Sequence, residues 1–258
     1  MSQISKSFKS ISIAAMTLVA TFSMSPVSVG AVDGTTKKAS RESVFCTNLT
    51  SNVTKIDTNI SNLEAKLATA RMTRDQAITN DNTKWDQQLK DNRAKWDQQR
   101  QDNLVKLEAS AKTTAQTTAI KVYEASIISA INTRRSANDN ARSTYRAAVQ
   151  GVLGTQRTTI NGQLTSFGSS VSNIEATTQA SCQAIPSNGP AARNTFQASL
   201  KSVRETYATN RKSDGNVGSQ IKQLAVNRNT IIQTNEAAFK TATRNARDAL
   251  KAFLGNNA

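Results

Sequence analysis

The letters KWDQQ occur at Lys84–Gln88 and again at Lys95–Gln99, and the eleven-residue step between them constrains the fold more than any other feature. Residues 83–93 match residues 94–104 at seven of eleven positions. Eleven residues complete almost three turns at about 3.6 residues per turn, so the repeat returns each side chain to nearly the same line, roughly 16 Å further along one helix. Leu67, Ile78 and Leu89 keep the same step, as do Trp85, Trp96 and Leu107. Before Leu67 the period differs: Leu49, Val53, Ile56, Ile60, Leu63 and Leu67 alternate steps of four and three, the seam of a heptad. The first arm therefore reads as one long helix with two packing periods.

The rest of the chain reads the same way. It has three prolines and ten glycines in 258 residues, and no long period-two run of β-branched or aromatic residues argues for strands. A second apolar series runs through Val122, Tyr123, Ile127, Ile131, Tyr145, Val149, Val152, Ile160, Leu164, Phe167, Val171 and Ile174, and breaks at Ile185-Pro186-Ser187-Asn188-Gly189-Pro190. A third contains Phe196, Leu200, Val203, Tyr207, Ile221, Leu224, Ile231, Phe239, Ala246, Leu250 and Phe253, interrupted at Ser213-Asp214-Gly215-Asn216-Val217-Gly218 by a kink or a short loop. Thr113-Thr114-Ala115-Gln116 has the T-x-x-Q form of a capping box, which places a turn just before it. The expected fold is all-α: an elongated antiparallel three-helix bundle, a coiled-coil-like rod on the order of 100 Å long, with helices over about 41–110, 114–184 and 190–254 of a single domain at 41–258.

The two cysteines test that hairpin. Positions level with one another on antiparallel helices average to the turn position, and the mean of 46 and 182 is 114, where capping chemistry already puts the turn. Cys46 and Cys182 are thus expected to pair as a disulfide at the open end. The same arithmetic predicts core layers, with Trp85 near Tyr145 and Ile231, and Trp96 near Ile131 and Ala242. An exposed stacking platform for sugars or bases is the alternative use of the two indoles. Asp86, Lys90, Asp91, Lys95, Asp97 and Arg100 read as a solvated face paired at helical spacing. Gly151, Gly154 and Gly162 mark a place for a bend.

The chain begins as an exported protein does. Lys6 and Lys9, an apolar run from Ile11 to Met24, Pro26 and Val29-Gly30-Ala31 have the layout of a signal peptide over 1–31, followed by a flexible stretch at 32–40. The destination is periplasmic, cell-surface or extracellular. Loss of the two lysines takes the net charge from +15 to +13. By segment there are twelve cations to ten acids over 41–112, six to three over 113–185, and eleven to four over 189–258. Lys240, Arg244, Arg247 and Lys251, spaced i, i+4, i+7 and i+11, form one stripe and are the candidate anion-binding residues. A solvated face that complements the helix dipole is the plainer reading of the same stripe.

Nothing in the sequence assembles an enzyme. Histidine is absent, and with it the commonest general base and metal ligand. There is no phosphate-binding glycine loop, zinc-type cysteine spacing or nucleophile elbow, so no catalytic residue, metal or cofactor is expected. The expected partners are an anionic envelope polymer or membrane surface, bound by an exported, structural or binding protein. Unfolded protein clients, held by a periplasmic holdase-type chaperone, are the alternative, and nucleic acid is a lesser one.

With Phe45-Cys46, the tryptophan repeats, the Leu107-Glu108 turn region and Cys182 in view, the chain resembles a group of exported, basic, long-helix proteins of small-genome, uncultivated bacteria. The group has a signal peptide, tryptophan-bearing charged repeats and one cysteine in each of the first two helices. It carries no established activity, so the resemblance implies location and shape only.

Overall fold

The computed structural model describes residues 44–184, 189–213 and 216–256. The signal peptide (1–31), the stretch at 32–40, the helix start at Arg41, the Pro186 break and Asp214-Gly215 lie outside the described residues. All regular structure among the described residues is α-helical: α1 (Leu49–Ala109), entered from a helical turn at 44–47, α2 (Thr114–Ala184), α3 (Gly189–Ser213) and α4 (Val217–Asn256). α2 runs over the residues expected of the second helix, and α1 ends near the expected turn but begins at Leu49, after the short helical turn at 44–47. The third apolar series is two helices, α3 and α4, rather than one.

The chain turns where capping chemistry places it. The last turn of α1 tightens as Ser110 N donates to Leu107 O at 3.2 Å and Ala111 N to Glu108 O at 3.0 Å. At the start of α2, Gln116 N donates to Thr113 Oγ1 at 3.2 Å, and Gln116 Oε1 accepts from Lys112 N at 2.7 Å. Both bonds satisfy amides that have no partner within the helix. The glutamine reaches one residue further back than a standard capping box requires.

The described residues form two compact units, the first made of those up to 70 and within 153–219, the second of those within 71–152 and from 220 on. In the first unit Leu49, Ile56 and Leu63 of α1, Leu164, Phe167 and Val171 of α2, and Phe196 and Leu200 of α3 share one buried cluster. These positions keep the heptad: Leu49, Ile56 and Leu63 lie seven apart, as do Leu164 and Val171. Phe45 meets Phe196 with ring centroids 5.9 Å apart, and Phe167 meets Tyr207 at 5.2 Å. Cys182 packs against this cluster and is disulfide-bonded to Cys46, Cα to Cα 5.6 Å.

The second unit keeps the eleven-residue period on all its helices. On α2, Ile120, Ile131 and Arg142 lie eleven apart and are at least half-buried, as are Ile127, Asn138 and Val149. On α4 the series are Ile221, Ile232 and Thr243, and Arg228, Phe239 and Leu250. The change of period in the sequence near Leu67 thus falls close to the boundary between units at Ala70. Gly151, Gly154 and Gly162 sit within unbroken α2, and a Cβ at any of them would meet nothing within 4 Å, so no close helix approach depends on them.

Within the second unit α1 and α2 keep a constant register. In the second unit Asp86 pairs with Arg146, Arg93 with Asp139 and Asp97 with Arg135, and the two numbers of each pair sum to 232. Antiparallel helices produce such a constant. In the first unit Asp57 and Glu175 share that sum, but both are acids. Burial, and then the Asp57 charge, push the Glu175 carboxyl above its ordinary value, and its Oε1 is buried without a hydrogen-bond partner. An acid raised in the folded state costs stability once ionised, a cost that disappears as pH falls through its folded pKa. Glu175→Arg is expected to raise the melting midpoint at neutral pH by roughly 2–4 °C, about 1 kcal/mol, by exchanging a repulsion for an ion pair. A lower midpoint in a thermal melt would refute this account of position 175.

Candidate functional site

The second unit is where charge replaces hydrocarbon. Three arginine–aspartate pairs join α1 to α2, each with both guanidinium nitrogens donating: Arg146 to Asp86 at 2.8 and 2.8 Å, Arg93 to Asp139 at 2.9 and 2.6 Å, and Arg135 to Asp97 at 2.9 and 2.6 Å. Asp97 and Asp139 each take a second arginine from their own helix, Arg100 at 2.8 Å and Arg142 at 3.1 Å. The Arg146 hydrogen bonds hold Asp86 below the usual carboxylate range, as Arg135 does for Asp97 and Arg93 for Asp139, against the opposing pull of burial. A lowered carboxylate stabilises the fold above its unfolded pKa, and that contribution is lost as pH falls through the folded value. The three aspartates are partly exposed, so each pair is worth less than about 1 kcal/mol.

The Asp86–Arg146 and Arg93–Asp139 pairs border a cleft of about 340 Å³, lined by Trp85, Asp86, Leu89, Lys90, Arg93, Asp139, Arg142, Ser143 and Arg146. Arg142 lies over the Trp85 ring at 4.4 Å from the centroid and Arg146 at 5.7 Å. Burial pulls the Arg142 guanidinium below its ordinary value, with Asp139 opposing. Four cations and two carboxylates make the cleft net positive, although its arginines are already engaged. Among the described residues, no group of three or more acids or cysteines comes together to hold a metal ion.

The expected core layers are corrected here. Ile131 is buried and Trp85 and Tyr145 are half-buried, but Trp96 is 44% exposed and Ile231 47% exposed. Trp96 turns outward because the seam at that level is taken by the next residue, Asp97, bound to Arg135. Ile231 yields to its neighbour Ile232, and Ala242 is likewise exposed. Tyr145 carries Arg228 of α4 over its ring at 4.4 Å. Trp85 is covered by arginines rather than by hydrocarbon. The α1 acids are also more than a solvated face: Asp86 and Asp97 bind across to α2. The partners Arg135, Arg142 and Arg146 escaped the sequence reading, although a search for residues summing to about twice the turn position could have found them.

α4 rests on α2 through polar contacts. Arg134 donates to Glu236 at 3.2 Å and lies over the Phe239 ring at 3.8 Å, and Asn235 Nδ2 donates to Asn138 Oδ1 at 2.9 Å. From Lys222 to Gly255 no residue of α4 is buried. Lys240, Arg244, Arg247 and Lys251 all stand exposed, and none is held in an ion pair among the described residues. No described helix is long and apolar enough to cross a membrane.

No known family model matches the chain, and neither the curated proteins nor the solved structures contain a significant match.

Proposed function

We propose that this is an exported, non-enzymatic helical protein that acts at the cell envelope as a structural or binding element, its arms arranged as a three-helix bundle with α3 and α4 forming the third arm. It contacts an anionic polymer or membrane surface through α4. One observation carries the reading: Lys240, Arg244, Arg247 and Lys251 are exposed and unpaired, whereas Arg93, Arg135 and Arg146 of α1 and α2 in the same unit are engaged by carboxylates. Cations already bound to protein carboxylates have little left to offer an outside anion, while free ones release counterions from a polyanion. The disulfide fits an oxidising compartment.

Binding to inorganic polyphosphate, followed across a salt series, tests the reading. Arg244→Glu with Arg247→Glu is expected to weaken binding and to flatten the dependence on salt. Unchanged affinity in that variant would overturn the proposal. The shallow seating of α4 also favours a holdase, which would grip unfolded chains against the exposed seam. Suppression of client aggregation that survives the charge reversal would select it.

A further inference from the structure

We infer that the partner of α4 is a membrane surface of anionic phospholipid, and that α4 leaves its seat on α2 to lie in that surface. The inference rests on the anion-contact reading and narrows it to one class of partner. A dissolved polyanion would use only the cations of α4. The helix has a second face as well: Ile232, Phe239, Leu250 and Phe253 lie on one side of it, all of them half-buried and none sealed from water. At about 100° per residue the cationic stripe lies roughly a quarter to a third of a turn from that side. A helix with this arrangement places its apolar residues at the acyl boundary while the cations meet the headgroups, so a membrane rewards both faces.

The way α4 is held in the protein permits the exchange. Among the described residues its polar contacts with α2 include an ion pair, an amide–amide hydrogen bond and two arginine–ring contacts, at Arg134–Glu236, Asn138–Asn235, Arg134–Phe239 and Arg228–Tyr145. Water and phosphate can satisfy each of those polar groups after release, whereas a buried hydrocarbon core would have no comparable substitute. Among the described residues of the second unit the buried apolar side chains are Leu104, Ile120, Ile131, Ala141, Val149 and Ile221, and only Ile221, at its beginning, belongs to α4. Surface binding, and not insertion across the bilayer, is the expected mode for this helix.

The purified full chain would be measured against phosphatidylcholine vesicles with and without phosphatidylglycerol, and against inorganic polyphosphate. Binding to the phosphatidylglycerol vesicles alone among the two lipids is the expected result. Phe239→Ser with Phe253→Ser is expected to weaken vesicle binding by at least about tenfold and to leave polyphosphate binding unchanged. An oxidised Asn138→Cys, Asn235→Cys pair fastens α4 to α2, and is expected to lose vesicle binding relative to each single variant with its thiol alkylated. Vesicle binding by the fastened protein equal to that of the single variants would overturn the release of α4. Binding to polyphosphate without binding to vesicles would overturn the membrane inference and leave the proposed function standing, and binding to neither would end both.

Discussion

Replacement of Cys182 by serine is expected to destabilise the chain by on the order of 5 kcal/mol and to lower the melting midpoint by roughly 10–20 °C. Cys46 and Cys182 are 136 positions apart, so their bond closes a long loop and removes many conformations from the unfolded chain. The chain-entropy model grows only slowly with loop length, and for this loop it gives that figure as an upper value. The loss should fall on the first unit, whose cluster borders Cys182 and whose Phe45–Phe196 ring contact adjoins Cys46. Hydrogen exchange of Cys182→Ser should therefore show faster opening around Leu49 and Leu200 than around Ile131. A midpoint that neither the substitution nor added reductant moves would contradict the pairing.

Phe167→Ala should come next, at about 3–5 kcal/mol. Phe167 is buried at the centre of the first unit, in contact with the clustered side chains of the neighbouring helices and with the Tyr207 ring. Removing the ring loses its transfer free energy and leaves a cavity that three crossing helices cannot close. Trp96→Ala supplies the contrast: an indole 44% exposed beside an ion pair should cost less than about 1 kcal/mol despite its greater size. Denaturant unfolding of the two variants decides the order. Equal losses would mean that Trp96 packs more deeply than its position on α1 indicates.

That contrast shows how far the sequence could be read. The helix limits at Thr114 and Ala184, the turn before Gln116, the pairing of Cys46 with Cys182 and the change from a seven- to an eleven-residue period were all legible. Each depends on residues close in sequence, or on the one geometric rule that antiparallel helices keep a constant sum of residue numbers. Hidden were the facts that need a neighbour's identity. Ile231 and Ile232 are equally apolar and adjacent, so periodicity alone could not choose between them. Trp96 repeats Trp85 in sequence, but only Trp85 has arginines from α2 to cover it.

Local pattern therefore determined that the chain is helical, where it turns and which sulfurs meet, because backbone hydrogen bonding, caps and helical rise are set by the residues themselves. Which side of each helix faces inward in the second unit, and the choice of Asp–Arg pairs over hydrocarbon to fill that seam, was decided only by the tertiary structure. An acid on α1 finds its cation only once α2 lies beside it, and the phase of a weakly apolar helix settles on whichever rotation lets those charged groups meet.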